Sequence, residues 1–174
     1  MASAGLSSLP PVVLVSGDDE FAVKQRGCQL YEQWCAEWGG MDHEIIDASV
    51  AHSGDALAAL AKLHEALQTL PFFGRGKVIW LQNCNFLGDE RAAGSQAVTA
   101  GLADLAQELK TFPWNSVRLL ITSAKVDKRK TFYKTLEKIG AVETFTGWSW
   151  DDRNWTFEAE NTARRQLQSL KKQI

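Results

Sequence analysis

Short apolar runs rich in β-branched residues alternate with helical stretches along this chain, and that alternation restricts the fold more than any other feature. Five runs read as strands: residues 12–15, which end at Ser16-Gly17, then 43–47, 77–81, 117–122 and 141–145. The first, third and fourth are almost continuously apolar, as expected of parallel strands covered on both faces. The second and fifth alternate more, which suits sheet edges. Between them, residues 19–38, 55–69, 95–111 and 128–139 carry apolar side chains at helical spacing. The first stretch sets Phe21, Val23, Cys28, Leu30, Tyr31, Trp34 and Trp38 mostly along one stripe. The second repeats Leu57, Leu60, Leu63 and Leu67, and the third Val98, Leu102, Leu105 and Leu109. In the fourth, Phe132, Leu136 and Ile139 lie between an expected N-cap, Asp127, and an expected C′ glycine, Gly140. Strand–helix alternation predicts an α/β fold, a three-layer sandwich on a mainly parallel five-stranded sheet.

The 174 residues suit one domain, or one domain and the start of another. A net charge of −2 argues against a surface that grips nucleic acid all over. No stretch approaches the roughly 20 apolar residues that span a bilayer, so no membrane partner is expected. Residues 1–10 read as a disordered lead-in, without the basic start and long apolar run of a signal peptide. Cys28, Cys35 and Cys84 show no CxxC spacing, and Cys28 and Cys35 are about 10 Å apart along one helix face, too far to bridge. Buried free thiols in a reducing, cytoplasmic setting are the expectation. Gly147–Asn154, with Trp148 and Trp150, closes a sheet domain of residues 11–147. A further helix over 157–173 carries Arg164, Arg165, Lys171 and Lys172. Its apolar positions Phe157, Ala163, Leu167, Leu170 and Ile174 need a partner surface.

Parallel α/β domains commonly cradle phosphate in the first strand-to-helix loop. Here that loop is Ser16-Gly17-Asp18-Asp19-Glu20-Phe21, with one glycine, no Gly-Lys-Ser/Thr and three carboxylates at a helix start. Carboxylates there satisfy the free N–H groups and repel phosphate. The third strand ends in Gln82-Asn83, neither of which supplies the metal-binding acid of an ATPase. His43, His52 and His64 share no ligand spacing, and no Gly-x-Ser-x-Gly elbow is present. The reading is a chain without catalytic residues, metal or cofactor.

Two segments remain. Leu70-Pro71-Phe72-Phe73-Gly74 sets adjacent aromatics between a helix that Pro71 ends and a turn that Gly74 and Gly76 permit. Side chains of neighbours in such a loop diverge, so at least one ring is expected near the surface, where exposed apolar groups mark a partner site. Packing of both rings into the end of the core is the alternative. The second segment is basic: Lys125, Lys128, Arg129 and Lys130, with Lys134 one turn on. It reads as a solvated face or as a contact for DNA phosphates or an acidic partner. A nucleic-acid-binding α/β module is therefore the alternative function.

The order of these features resembles the N-terminal region of the delta subunit of the bacterial DNA polymerase III clamp loader. The resemblance rests on Ser16–Phe21, Leu70–Gly74, the strand from Lys77, Leu119–Arg129, Tyr133-Lys134 and Gly140–Val142. It covers residues 10–146 and less securely the final helix. It implies an AAA+-like first domain without a working nucleotide site, no enzymatic activity of its own and no cofactor. It also implies binding to the sliding clamp (beta) through an exposed wedge on Phe72 and Phe73, supported by Leu70 and Pro71, which opens the clamp for loading during replication. Partners of the full-length protein would be the gamma/tau and delta prime subunits. Residues 148–174 would then be a linker and the first helix of a truncated helical second domain.

Overall fold

In the computed structural model, the described residues are 9–88 and 92–147, with Glu160, Asn161, Ala163, Arg164 and Leu167. Residues 1–8 of the expected lead-in, Trp148, Trp150 and most of the expected final helix lie outside them. The elements run β1 (Val12–Gly17), α1 (Glu20–Trp38), β2 (Glu44–Asp47), α2 (Ser53–Gln68), β3 (Lys77–Gln82), α3 (Gln96–Thr111), β4 (Val117–Ser123), α4 (Thr131–Ile139) and β5 (Ala141–Phe145). All pairings are parallel, in the order β2-β3-β4-β1-β5. The three continuous apolar runs take the interior of the sheet and the two alternating ones its edges, as their patterns predict.

Right-handed crossovers decide which face each helix covers. The step from β1 to β2 runs one way across the sheet, and every later step runs the other way. Helix α1 therefore covers one face alone, packing Val23, Leu30 and Trp34 against Val13, Val15, Val78, Trp80 and Leu120. Helices α2, α3 and α4 cover the other, over Leu14, Ile79, Leu81, Leu119 and Ile121. The three-layer α/β sandwich is thus present. Gly27 lets α1 lie close to the sheet, because a Cβ there would come within 2.9 Å of both Thr122 Cγ2 and the Trp80 ring.

Several local expectations are corrected. Helix α4 starts at Thr131 rather than 128, and Asp127 does not cap it. Asp127 instead closes the preceding turn, accepting from the Arg129 amide at 3.0 Å. Its short side chain finds a partner before the helix begins. Lys128 and Arg129 are consequently outside the first helical turn. Gly140 is extended (φ −141°), so left-handed freedom is not what it supplies. A Cβ would sit 2.3 Å from the Val12 carbonyl oxygen, and close approach of backbones is the reason for glycine. Phe21 points to solvent from the first turn of α1, off the buried stripe. Cys28 and Cys35 are half-buried, and only Cys84 is fully inside. Burial pushes the Cys35 thiol pKa up, and raises that of the neighbouring Tyr31 to about 12. Leu9, within the expected lead-in, packs against the α1 face, and its carbonyl accepts from Arg118 Nη1 at 3.1 Å.

The edge strand β5 is tied to α1 by a two-pronged ion pair, Arg26 Nε to Glu143 Oε2 at 2.7 Å and Nη2 to Oε1 at 2.8 Å. Glu143 holds the Arg26 guanidinium pKa above its ordinary value through these hydrogen bonds. Replacing Glu143 by Ala is expected to lower stability by about 1 kcal/mol in urea unfolding, since bidentate, partly buried pairs exceed ordinary surface pairs.

Candidate docking loop

Helix α2 stops at Gln68, where both the amide and the hydroxyl of Thr69 turn back to the Glu65 carbonyl, at 3.0 and 2.8 Å. Pro71 then excludes further helix. The chain re-enters the sheet at Lys77, a fully buried lysine. Its ammonium donates to the Ala66 carbonyl at 3.0 Å and pairs with Glu44. Ala66 lies in the last turn of α2, the negative end of that helix. One buried cation thereby joins the two roots of the loop, the end of α2 and the start of β3.

A second loop supports it from below. Gly39 and Gly40 follow α1 with φ of 61° and 89°, and Gly74 turns with φ of 86°. A Cβ on Gly40 would come within 2.3 Å of the Phe73 carbonyl oxygen, and one on Gly74 within 2.6 Å of that of Gly39. The two loops therefore meet backbone to backbone, with no room for side chains between them. The Arg75 amide donates a hydrogen bond to the Trp38 carbonyl at 2.9 Å. Asp42 completes the lock: its Oδ2 accepts from the amides of both Phe72, at 3.0 Å, and Phe73, at 2.7 Å.

With both amides turned toward Asp42, both rings project outward. Phe72 is 86 % exposed and Phe73 62 %, with ring centroids 5.5 Å apart in an edge-to-face arrangement. Leu70 is exposed beside them and Pro71 half-buried. Packing of the pair into the core is ruled out, and both rings, not one, face water. Sequence reasoning missed Asp42. The Gly39-Gly40 pair between a helix and a strand was the available signal, because a double glycine permits close backbone contact.

The opposite end of the sheet is occupied by its own chain. Asp19 Oδ1 caps α1 by accepting from the Ala22 amide at 2.9 Å. Asp18 Oδ1 accepts from the Gly147 amide at 2.7 Å. Gly17 presses on β5, where a Cβ would lie 1.7 Å from the Phe145 carbonyl oxygen. The helix N-terminus that would otherwise meet phosphate is thus capped by the Asp19 carboxylate. Among the described residues, no group of three or more His, Cys, Asp or Glu is placed to hold a metal. Nor is any helix among them long and apolar enough to cross a membrane.

The basic segment is not a uniform charged face. Lys130 is half-buried and donates to the Gly88 carbonyl at 2.7 Å. Arg129 grips Asp127 with Nε and Nη2, each at 2.9 Å, which pulls the Asp127 carboxyl pKa down to about 2. Lys125, Lys128 and Lys134 are exposed. Lys125 and Lys128 border an open cavity with Ser16, Asp18 and Thr144.

Against known families, residues 14–145 match the model described as DNA polymerase III, delta subunit. The chain belongs to this family. Among solved structures it is similar to the Bacillus subtilis DNA clamp loader delta protein, with a TM-score of 0.60 and 15 % identity. That match covers 82 % of this chain and 40 % of the other, so the chain spans under half the length of its structural relative. A DNA polymerase III gamma subunit-related protein from Thermotoga maritima aligns with a TM-score of 0.47 and 12 % identity, over 80 % of this chain and 42 % of that one. A chain of an E. coli HORMA:CdnC:Trip13 complex aligns at 0.49 and 13 %, over 88 % and 54 %. No curated protein sequence matches significantly. The delta-family match embraces both the Leu70–Gly74 loop and the Asp42 support.

Asp42→Ala should raise hydrogen exchange at the Phe72 and Phe73 amides at least about tenfold, the loss of a charge-assisted bond worth about 1.5 kcal/mol or more. Acid should act on the Asp127 turn. A carboxyl with a lowered folded pKa contributes above its ordinary value of 3.8, and that contribution is lost as pH falls toward about 2. An NMR titration of the Arg129 side-chain N–H groups should accordingly hold steady above pH 4 and change with a midpoint near 2.

Proposed function

We propose that this delta-family chain binds the DNA polymerase III sliding clamp (beta) and helps open it for loading on DNA, with Phe72 and Phe73 as the wedge. The observation that carries the reading is the exposure of both rings on a loop held by Asp42, Lys77 and three left-handed glycines. Two large apolar side chains in water on a fixed backbone are poorly explained by folding alone. They suit insertion into a preformed apolar pocket, where aromatic anchors contribute about 2 kcal/mol or more each. Leu70 and Pro71 flank and support the rings. Prior fixation of the loop also limits the entropy lost on binding.

In this reading the sheet domain, residues 11–147, is an AAA+-like body that acts without nucleotide chemistry of its own, and residues 148–174 lead toward a helical second domain. Within a longer delta subunit, gamma/tau and delta prime would be its neighbours in the cytoplasm, and their ATPase cycle would drive the wedge. The basic segment, Lys125, Lys128, Arg129, Lys130 and Lys134, is the secondary candidate for DNA. It is weakened by the internal engagement of Lys130 and Arg129.

Calorimetric titration with the cognate clamp should give micromolar or tighter binding. Phe72→Ala/Phe73→Ala should weaken it at least about a hundredfold, with little change in melting temperature because both rings are exposed. Unchanged binding by the folded double variant would refute the wedge.

A further inference from the structure

The three most exposed large apolar side chains among the described residues are Met41 at 87 %, Phe72 at 86 % and Leu70 at 77 %. Phe72 and Leu70 belong to the α2–β3 loop. Met41 comes from the α1–β2 loop, and its two neighbours form the lock between the loops. On one side Gly40 packs on the Phe73 carbonyl, and on the other Asp42 accepts from the Phe72 and Phe73 amides. The Met41 backbone is therefore fixed beside the wedge from both directions, although 29 residues separate it from Leu70 in sequence. Isolated exposed apolar residues need no explanation. Four of them stand on two loops bonded together at the end where the strands begin, and clustered exposed apolar groups mark a partner site.

We infer that Met41 is a further apolar contact of the docking surface, so that the α1–β2 and α2–β3 loops engage the clamp as one unit. The inference rests on the clamp-binding reading above and adds a contact to it. Continuity argues for a shared occupant: a partner seated over the Phe73 ring meets the loop on which that residue's carbonyl and amide already rest. The chemistry fits a protein pocket. An unbranched thioether adapts its shape at the border of an aromatic anchor and makes favourable sulfur–ring contacts. Phe21 provides an internal control, since it too is a large apolar side chain, 64 % exposed, but stands at the start of α1, about 26 Å away along the helix axis.

The test is titration of the purified clamp into the 174-residue chain and its Met41→Ala, Met41→Lys, Phe21→Ala and Phe72→Ala/Phe73→Ala variants, with melting temperatures measured in parallel. Met41→Ala should weaken binding about fivefold and Met41→Lys more, while Phe21→Ala binds as the parent does. Melting temperatures of the Met41 variants should match the parent, because the side chain packs on little of its own chain. Parental affinity in Met41→Lys, alongside loss in the double Phe variant, would overturn this inference and leave the wedge standing. Parental affinity in the double Phe variant would instead remove the wedge itself. Dimerisation of the chain without clamp, abolished by Met41→Lys, would assign the patch to a second copy and would also overturn the inference.

Discussion

Val13, Leu14 and Val15 of β1 lie beside Leu120, Ile121 and Thr122 of β4 with no face left to water, α1 above them and the remaining helices below. This doubly covered centre constrains everything else. A parallel strand needs a crossover to reach its neighbour, each crossover is right-handed, and the one reversal at β1 sends α1 to its own side. The layers are then complete, and chemistry can reside only at the two ends of the strands. At the end where strands finish, Asp19 caps the start of α1 and Asp18 ties that loop to Gly147 beyond β5. At the end where strands begin, two loops hold each other and leave their apolar side chains outside.

That second end has an economy of parts. A single carboxylate oxygen on Asp42 fixes two successive amides, and a single ammonium on Lys77 fixes both roots of the loop. Left-handed glycines remove the side chains that would separate the two backbones. The consequence is an apolar tip whose conformation is set before any partner arrives. In the proposed role as a clamp wedge, such a tip transmits force from the rigid sheet instead of folding away under load.

Much of this was legible in the sequence, for physical reasons. Continuous apolar runs at 12–15, 77–81 and 117–122 announced interior strands because both their faces are covered, and the alternating runs announced edges. The carboxylates of Ser16–Glu20 announced a capped helix, because a side-chain oxygen one residue before a helix has few other uses. What stayed hidden was long-range. Asp42 and Phe72 are 30 residues apart, and no local pattern links an acid to amides it meets only after two elements have packed. Asp127 misled for a local reason instead: its partner Arg129, two residues on, outcompeted the helix. Gly140 does end α4, but in an extended conformation, and its missing Cβ serves the approach to Val12, a contact that spans the domain.

In the proposed function, the Asp42-held tip, and not the basic segment or the far end of α1, is the face that meets the clamp. Hydroxyl-radical footprinting of the chain with and without clamp, read residue by residue, tests it most directly. Oxidation of Phe72, Phe73 and Leu70 is expected to fall sharply in the complex while that of Phe21 is unchanged. Undiminished oxidation of Phe72 and Phe73 at saturating clamp, with protection appearing elsewhere, would contradict it.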